Sequence, residues 1–367
     1  FEIFSNIEIY NKKSNLVIGI PKILNLWLYA PFYIAYLQGI GIQSKNILWS
    51  SFTNNKFWKK AHKLNSADLC FPGKYALSHV MELCTMKRKV DVILNPCIID
   101  LFSEIKNYEA SFACAIASGN PEVVKASFSK EENIFNMHKI RYLDPSFHMD
   151  NLELFNDELY KFFKNIIKIR KKYHNLAFSQ AKLIYDKFRN DMQQKALEVM
   201  KKITLEGRLG IVFLSRPYHY DPGLNHGIPE SLQELGYPVF TIDSLPRDPE
   251  LLNVLFKKDL EDGSISNPLD ISDVWKYSAS GNTNQKVWAA KFVARHPNLA
   301  AVEFVSFRCG HDATILKVIE NIMHSSNTPF FTFHDMDQTK PSGSIKLRIE
   351  TIDYFLKEHK KNILRTY

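Results

Sequence analysis

The sequence predicts an α/β protein with two Rossmann-like or flavodoxin-like domains, whose parallel sheets are joined by a helical segment. Short apolar runs alternate with longer stretches of helical periodicity near both ends of the chain, the order typical of parallel sheets covered by helices. The 367 residues exceed what one hydrophobic core usually serves. We therefore predict an N-terminal α/β domain over 1–150, a helical connector over 151–205 and a C-terminal α/β domain over 206–367.

The N-terminal region contains three apolar runs with the length and composition of short buried strands. These predicted strands are Leu16–Ile20, Asn46–Trp49 and Val90–Leu94. Helical spacing between them predicts helices over Asn25–Gln38 and Pro72–Leu83.

The predicted connector differs in composition from the regions on either side. From Asn151 to about Ile203 the chain is rich in Lys, Leu, Phe, Glu and Gln and contains neither Pro nor Gly. Its apolar residues recur at roughly helical spacing, so we predict two or three helices. No clean heptad persists, which argues against a coiled coil.

The C-terminal region again alternates strands with helices. Its predicted strands are Leu209–Leu214, Val239–Ile242, Leu299–Phe304 and Pro329–Phe333. Its predicted helices are Ile228–Leu235, Pro249–Lys258, Asn284–Ala294, Ala313–Met323 and Ile345–Lys360. No short-period repeat is visible, but the two halves are compatible with one common architecture.

Composition and charge narrow the class of protein. Apolar residues make up 45% and charged residues 23% of the chain, which is ordinary for a soluble globular protein. The longest apolar stretches are too short and too interrupted to span a bilayer. The N-terminus lacks both a starting Met and the layout of a signal peptide. We expect a cytoplasmic protein and interpret the chain as a fragment of a longer one.

The formal net charge of +8 raises the question of nucleic-acid binding. The positive charges are scattered along the chain, with local clusters at Lys164–Lys172 and Lys357–Lys361. Solvated lysines on helix faces account for this pattern. We therefore expect no nucleic-acid partner.

The five cysteines are odd in number and widely spaced, which argues against a disulfide framework. No CxxC pair is present, so a zinc ribbon is not expected. Inert core thiols, a reactive thiol, or ligands of a metal cluster brought together by folding remain as alternatives.

Four of the cysteines lie in predicted loops beside strands or helices: Cys70, Cys97, Cys114 and Cys309. A cysteine just before a helix N-terminus lies near the positive end of the helix dipole, which favours the metal-binding thiolate. Cys84 falls inside a helical stretch and is interpreted as a core thiol. The alternative for each of the others is a small buried hydrophobic residue.

A loop rich in polar side chains runs from Ser215 to His226, after a predicted strand and before a predicted helix. Arg216 offers a planar fork for a carboxylate or phosphate. His219 and His226 can move protons near neutral pH, and Asn225 is placed to cap the following helix. The alternative is a well-capped turn with a structural arginine.

A third polar segment, His334–Asp337, is followed by Lys340–Lys346, where Ser-Gly-Ser precedes a predicted helix. Its backbone N–H groups could bind an anion, although an ordinary helix cap explains the same residues. The chain contains neither a GxxxxGK[ST] nor a GxGxxG motif, so it shows no nucleotide-hydrolysing apparatus of its own.

Several long blocks resemble the uncharacterised domain of large CoA-substrate-specific enzyme activases, from about Val17 to Leu356. The blocks are Ile18–Asn25 with Ala30–Phe32, Cys70–Lys74, Pro121–Ala126, Arg216–His219 with Asn225–His226, Asn282–Lys291 and Ser306–Ala313. The sequence departs from the family pattern at Gly73, where Ser or Ala is more usual, and at Ser118–Asn120, which replaces a Thr- and Ala-rich run.

This resemblance implies similarity to the cluster-bearing subunits of 2-hydroxyacyl-CoA dehydratases and to double-cubane-cluster proteins. It implies an iron–sulfur cluster of the 4Fe–4S type on Cys70, Cys114 and Cys309, with Cys97 as an extra ligand. One iron would stay open to water or substrate. Arg216, His219 and His226 would then line the approach as catalytic residues.

The resemblance also implies partners. ATPase activase domains of the same or a partner chain would supply a low-potential electron, and an acyl-CoA would be the substrate. The implied activity is electron transfer or dehydratase-like chemistry on CoA thioesters. The alternative is a non-catalytic docking module that contacts a dehydratase or an acyl-CoA. The sequence leaves a dimer open.

Overall fold

The computed structural model describes residues 14–64, 69–130, 132–306, 308–334, 336 and 342–366. The β-strands of this part of the chain are β1 (Ile18–Ile20), β2 (Ile47–Trp49), β3 (Val92–Leu94), β4 (Cys97–Asp100), β5 (Arg141–Leu143), β6 (Ser146–His148), β7 (Gly210–Leu214), β8 (Val239–Thr241), β9 (Leu299–Phe304) and β10 (Phe330–Phe333). The α-helices are α1 (Leu26–Gly39), α2 (Asn55–Ala61), α3 (Phe71–Thr85), α4 (Ala115–Phe128), α5 (Ile134–Met137), α6 (Leu152–Ile167), α7 (Lys171–Leu205), α8 (Pro222–Asn225), α9 (Ile228–Glu234), α10 (Pro249–Leu255), α11 (Lys257–Glu261), α12 (Gly281–Arg295), α13 (Gly310–Ser325) and α14 (Ser342–Thr366).

The chain divides into two compact units. The first unit comprises the described residues up to Phe102 and from Phe112 to Phe188, and the second comprises Ser103–Ser111 and the described residues from Arg189 onward. The chain passes from the first unit to the second inside α7. Two helices, α6 and α7, occupy the segment predicted to contain two or three.

The first unit is built on a parallel four-stranded sheet with the order β2-β1-β3-β5. β1 lies in the middle, with Ile18 opposite both Ile47 of β2 and Val92 of β3. All residues of β1 and β3 are buried, as expected for strands covered by helices on both faces. A separate parallel pair, β4 and β6, continues the chain beyond this sheet.

The second unit is built on a parallel four-stranded sheet with the order β10-β9-β7-β8. The fully buried central strands β7 and β9 pair from Gly210↔Leu299 to Leu214↔Glu303. Alternate β7 residues belong to two hydrophobic clusters: Val212 and Leu214 pack with Trp288 of α12, whereas Ile211 and Phe213 pack in the other cluster. The prediction of an α/β protein with parallel sheets is therefore confirmed.

Both sheets share one strand order. Numbered along the chain within each four-stranded sheet, the strands lie in the order 2-1-3-4, so the common architecture allowed by the sequence is present. In such a sheet the connections leave the first and third strands in opposite directions. The crevice at the carboxyl ends of these strands is where doubly wound sheets bind ligands. The corresponding strands are β1 and β3 in the first unit and β7 and β9 in the second.

Some details differ from the predictions. The helix predicted over Pro249–Lys258 is interrupted at Phe256, which separates α10 from α11. Phe256 is fully buried and lies beneath the Arg295 guanidinium, 4.7 Å from its ring centroid. Tertiary packing of this ring therefore accompanies an interruption of the helix that helical periodicity does not reveal. Among the described helices, none is long and apolar enough to cross a membrane.

Candidate functional site

The carboxyl edge of the second sheet gathers charged side chains from distant parts of the chain. β7 ends at Leu214 and leads through Ser215 and Arg216 into a 3₁₀ turn, Pro217–Tyr220. β9 ends at Phe304, and the chain then reaches Cys309, the N-cap residue of α13. This edge is the switch point of the sheet, and it is also where the sequence predicts site residues.

Four buried charges form an ionic network at this edge. The Arg216 guanidinium binds the Asp312 carboxylate through Nη2–Oδ1 at 2.9 Å and Nε–Oδ2 at 3.3 Å. Lys286 Nζ lies 2.8 Å from Glu303 Oε1 and 3.5 Å from Asp312 Oδ1. The side chains of all four residues are at most 2% exposed. His334, about one-third exposed, reaches Glu303 Oε2 at 3.3 Å.

Each carboxylate of this network is held in its ionised form. Burial alone would raise the pKa of Asp312, but Arg216 and Lys286 hold that pKa well below its usual range. Burial likewise opposes ionisation of Glu303, yet Lys286 and the hydrogen bond with His334 lower its pKa overall. The Asp312 carboxylate in turn raises the pKa of Arg216 well above its ordinary value, against the effect of burial. Arg216 is thus a buried cation that is paired with Asp312. This is the arrangement expected if the loop is a turn with a structural arginine.

His219 is buried and neutral. Burial is the main cause that lowers its pKa from 6.5 to about 3, and Lys286 and Arg216 lower it further. Its Nδ1 accepts a hydrogen bond from the Arg216 backbone N–H at 3.3 Å. The neutral ring must therefore carry its proton on Nε2. Its edge-on packing against Phe304 fixes the ring in place.

His226 and Asn225 occupy the end of the same loop. His226 is half-buried and adopts a left-handed conformation with φ of 57° at the end of α8. The prediction that Asn225 caps the next helix is wrong. Gly227 occupies the N-cap position of α9 with φ of 72°, and Asn225 Oδ1 accepts the Gly227 N–H at 2.8 Å. The sharp turn at Gly227 moves the helix start beyond the reach of the Asn225 side chain.

Cys309 lies beside the ionic network at the N-cap of α13. Burial raises the pKa of its thiol to about 11, and Asp312 adds to that increase while Arg216 opposes it. In this state the residue is a thiol at neutral pH, despite its position at a helix N-terminus. A metal that binds here would have to displace the proton.

Cys70 and Cys114 occupy equivalent positions in the first unit. Cys70 is the N-cap residue of α3 and Cys114 that of α4, and both are half-buried. The first turns of these helices meet at Gly73. The point where a Gly73 side chain would begin lies 3.5 Å from Cys70 Sγ and 3.2 Å from Ile116 Cγ2. Asn120 Nδ2 also donates to the Gly73 carbonyl at 3.0 Å.

The departure at Ser118–Asn120 lies inside α4. It does not form a loop, so the helix itself fixes the backbone after Cys114. Ser118 donates a hydrogen bond from its side chain to the Ile98 carbonyl at 2.5 Å. This contact ties the first turns of α4 to β4.

The other two cysteines are buried. Cys84 lies inside α3, and burial raises the pKa of its thiol to about 12, which confirms a core thiol. Cys97 begins β4 instead of lying in a loop, because residues 97–100 pair with β6. Burial, with Asp144 and Glu122, raises its pKa to about 11. Cys97 is thus in a setting that disfavours the thiolate.

The positions of the candidate metal ligands bear on the iron–sulfur cluster that the resemblance implies. Within the described ranges, no three His, Cys, Asp or Glu side chains are placed to hold one metal ion. Cys70 and Cys114 belong to the first unit, on helices whose first turns touch. Cys309 belongs to the second unit. Thiols at helix N-termini fit iron in chemical type.

The switch point of the first sheet differs from that of the second, because its cavity is lined by uncharged side chains. Asn25, Asn95 and Asn120 line a small cavity there, of about 10 Å³. Both amide atoms of Asn25 and the Oδ1 of Asn120 are buried and lack a hydrogen-bond partner among the described residues. Leu24, next to Asn25, has a positive φ of 44°, a strained conformation for a branched side chain. Nearby, His79 bonds Ser50 Oγ at 2.8 Å and Thr53 Oγ1 at 2.9 Å.

Sequence reasoning missed three members of the ionic network as site residues: Lys286, Glu303 and Asp312. Glu303 carried a usable signal, since a charged residue inside the apolar strand Leu299–Phe304 must be paired or neutralised when buried. Of the third polar segment, His334 contacts Glu303. Asp335 and 337–341 lie outside the described residues, as do Asp68 of the Cys70 loop and Phe307 of the Cys309 loop.

Comparison with known proteins gives one result. No curated protein matches the chain. A family model described as the CoA enzyme activase uncharacterised domain matches residues 17–245, more than half of the chain. The matched stretch contains Cys70, Cys114 and Arg216, whereas Cys309 lies beyond it, so the resemblance of the blocks after residue 245 stays a prediction. The chain therefore belongs to the CoA enzyme activase uncharacterised-domain family.

Proposed function

We propose that this chain is an iron–sulfur domain in which Cys70, Cys114 and Cys309 bind a 4Fe–4S-type cluster. The domain would act in low-potential electron transfer or dehydratase-like chemistry on CoA thioesters. The observation that carries the proposal is positional: each of the three cysteines is the N-cap residue of a helix of at least fourteen residues. The helix dipole at that position stabilises a bound thiolate.

The cluster would supply the electron, because reduction of a thioester carbonyl needs a strongly reducing cofactor. The chain's own residues would prepare the thiols. Cys309 would lose its proton on metal binding, and the neighbouring Arg216 already opposes the high pKa of that thiol. Cys97 is the weakest candidate ligand, since it lies buried in β4.

The loop after β7 would position and polarise a substrate. Arg216 is held by Asp312, so it would orient groups near Cys309 through its remaining N–H donors. His219, neutral and protonated on Nε2, would donate a hydrogen bond instead of acting as a base, because its pKa of about 3 leaves it little basicity near pH 7. His226 is less buried than His219 and would contribute a second imidazole at the end of the same loop.

An acyl-CoA is the proposed substrate, and ATPase activase domains are the proposed source of electrons. Membership of a family described as a CoA enzyme activase domain supports this proposal, together with the resemblance to the large activases.

Anaerobic reconstitution with iron and sulfide, followed by reduction at low potential, tests the cluster. The parent protein should become brown and give an electron paramagnetic resonance signal when reduced. Cys70→Ala, Cys114→Ala and Cys309→Ala should each lose most of the signal, while Cys84→Ala, a core thiol, should keep it. If the three variants match the parent, the cysteine assignment fails. A colourless parent that binds acyl-CoA or a partner tightly would indicate a docking module instead.

A further inference from the structure

Unpaired hydrogen-bond donors collect at the switch point of the second unit. Ser215 Oγ, Arg216 Nη1, Asn282 Nδ2 and Thr283 Oγ1 are buried and have no hydrogen-bond partner in the part of the chain that the structure describes. The four residues are only 2 to 4% exposed. A buried donor left unpaired costs about 1 to 3 kcal/mol, so four of them in two adjoining segments call for a ligand that pairs them.

These segments face one edge of the sheet. Ser215 and Arg216 directly follow β7, whereas Asn282 and Thr283 lie in the first turn of α12. Residues three and four apart share a helix face, so Asn282 and Thr283 lie one turn before Lys286. Since Lys286 contacts Asp312, the partner of Arg216, that face of α12 looks toward the end of β7.

Two helix N-termini converge at the same edge. The N-cap residue of α12, Ser280, bonds through Oγ to Nδ1 of His311 in the first turn of α13, at 2.9 Å. The charges of Arg216 and Lys286 are balanced by those of Asp312 and Glu303 within the network. Asp312 lies in the first turn of α13, whereas the first turn of α12 contains no acidic residue. The positive end of α12 and the unpaired donors are therefore left without a negative counterpart.

The donor types indicate the ligand. Arg216 Nη1 and Asn282 Nδ2 can only donate hydrogen bonds, and the hydroxyls of Ser215 and Thr283 can also donate. Four donors suit a group with several acceptor oxygens, and a helix N-terminus favours a negative charge. We propose that this edge of the sheet in the second unit binds a tetrahedral oxyanion of the phosphate type. The proposal goes beyond the cluster function and needs no metal.

Phosphate binding by the full chain, prepared without iron, tests the proposal. Thermal unfolding would be followed with rising inorganic phosphate against chloride at constant ionic strength. A bound ligand raises the unfolding temperature by mass action, so we expect phosphate to raise it and chloride to leave it unchanged. Absence of a phosphate effect in the parent would overturn the site, whatever the outcome of iron reconstitution.

Two near-isosteric variants separate binding from folding. Thr283→Val and Asn282→Leu each remove an unpaired donor, so neither should destabilise the phosphate-free protein by more than about 1 kcal/mol. Each should weaken phosphate binding about tenfold to a hundredfold, since a hydrogen bond to a charged group is lost. Ser127→Ala removes a buried hydroxyl of the first unit that has no hydrogen-bond partner among the described residues, and it should bind phosphate like the parent. Equal binding by all three variants would overturn the assignment.

The source of the phosphate group can be distinguished in the same assay. If coenzyme A competes with inorganic phosphate in the parent, the oxyanion is part of a larger ligand. If inorganic phosphate alone binds, the ligand is free phosphate. Both results support the site, whereas stabilisation by acetate without any by phosphate would contradict a tetrahedral oxyanion.

Discussion

The two four-stranded sheets in the described part of the chain have the same strand order, 2-1-3-4 within each sheet, but their switch points differ in chemistry. In the first unit the crevice is lined by Asn25, Asn95 and Asn120 around a cavity of about 10 Å³, roughly the space of one water molecule. In the second unit the crevice contains an ionic network of four charges with unpaired donors beside it.

The comparison separates what the fold determines from what individual residues determine. A doubly wound sheet brings the ends of its central strands together in both units, so polar groups meet there in each. Which polar groups meet is decided residue by residue. The second unit pairs the four buried charges of its network, whereas in the first unit the Asn25 amide atoms lack a partner among the described residues. Removal of a charge from the network should therefore destabilise the protein, whereas an apolar replacement of Asn25 should stabilise it.

The largest expected effect is that of Asp312→Asn. This change leaves Arg216 and Lys286 buried without their shared carboxylate, which should cost about 3 to 5 kcal/mol of the free energy of unfolding. Urea unfolding followed by tryptophan fluorescence measures the loss. The control is Glu320→Gln, which breaks only a surface contact with Lys317 and should cost under about 1 kcal/mol. Similar costs for both variants would show that the network is not a buried, charge-paired unit.

The next largest effect should be a loss of stability at acidic pH, to which one histidine in each unit should contribute. Burial lowers the pKa values of His79 and His219 from 6.5 to about 3. Between these values the unfolded state binds more protons, so stability falls as pH drops from about 6.5. Each histidine should lower the free energy of unfolding at pH 5 by about 2 kcal/mol relative to pH 8.

The variants His79→Gln and His219→Gln check this effect when unfolding free energies are measured at pH 8 and pH 5. Each should lose about 2 kcal/mol of the difference between the two pH values. A variant that keeps the full difference of the parent would show that the substituted histidine is protonated in the folded state.

Asn25→Leu should have a smaller effect, and of the opposite sign to Asp312→Asn. The Asn25 amide is buried without a partner in the described chain, so an apolar side chain of similar shape should stabilise the first unit by about 1 kcal/mol. Asn95→Leu is the matched control. It removes the 2.8 Å hydrogen bond from Asn95 Nδ2 to the Tyr142 hydroxyl, so it should destabilise. If Asn25→Leu costs more than Asn95→Leu, the Asn25 amide is paired after all.

The smallest expected effect is that of a substitution at Gly73, in the first turn of α3, where this helix meets the first turn of α4. A Cβ there would lie 3.2 Å from Ile116 Cγ2, which is tight. Ile116 is 37% exposed and can shift, so Gly73→Ala should change stability by under about 1 kcal/mol. Any loss of stability caused by Gly73→Ala should disappear when Ile116→Ala is added. A cost that survives the second substitution would show that the helices do not meet at this point.

Much of the fold could be predicted from the sequence because it depends on local patterns. β9 matches its predicted bounds, Leu299–Phe304, since a continuous apolar run marks a buried strand. The position of Cys84 in a helical stretch correctly predicts a core thiol. The break at Phe256 could not be predicted, because it goes with packing against Arg295, which lies far along the chain.

The ionic network was out of reach for a different reason. Arg216 and Asp312 are 96 residues apart and meet only once β7 and β9 are paired. The sequence singled out Arg216 as a binding residue but could not show that an internal carboxylate already holds it. The loop pattern therefore drew attention to residues at this edge of the sheet but did not reveal that Arg216 pairs with Asp312 there.

The central claim, that Cys70, Cys114 and Cys309 hold an iron–sulfur cluster, is tested most directly by native mass spectrometry of the anaerobically reconstituted protein. The mass gives the number of iron and sulfide ions bound to each chain. We predict one 4Fe–4S cluster on the parent and on Cys84→Ala, and none on the variant with all three N-cap cysteines replaced by alanine. A parent without cluster mass, or a triple variant that carries the same cluster, would contradict the claim.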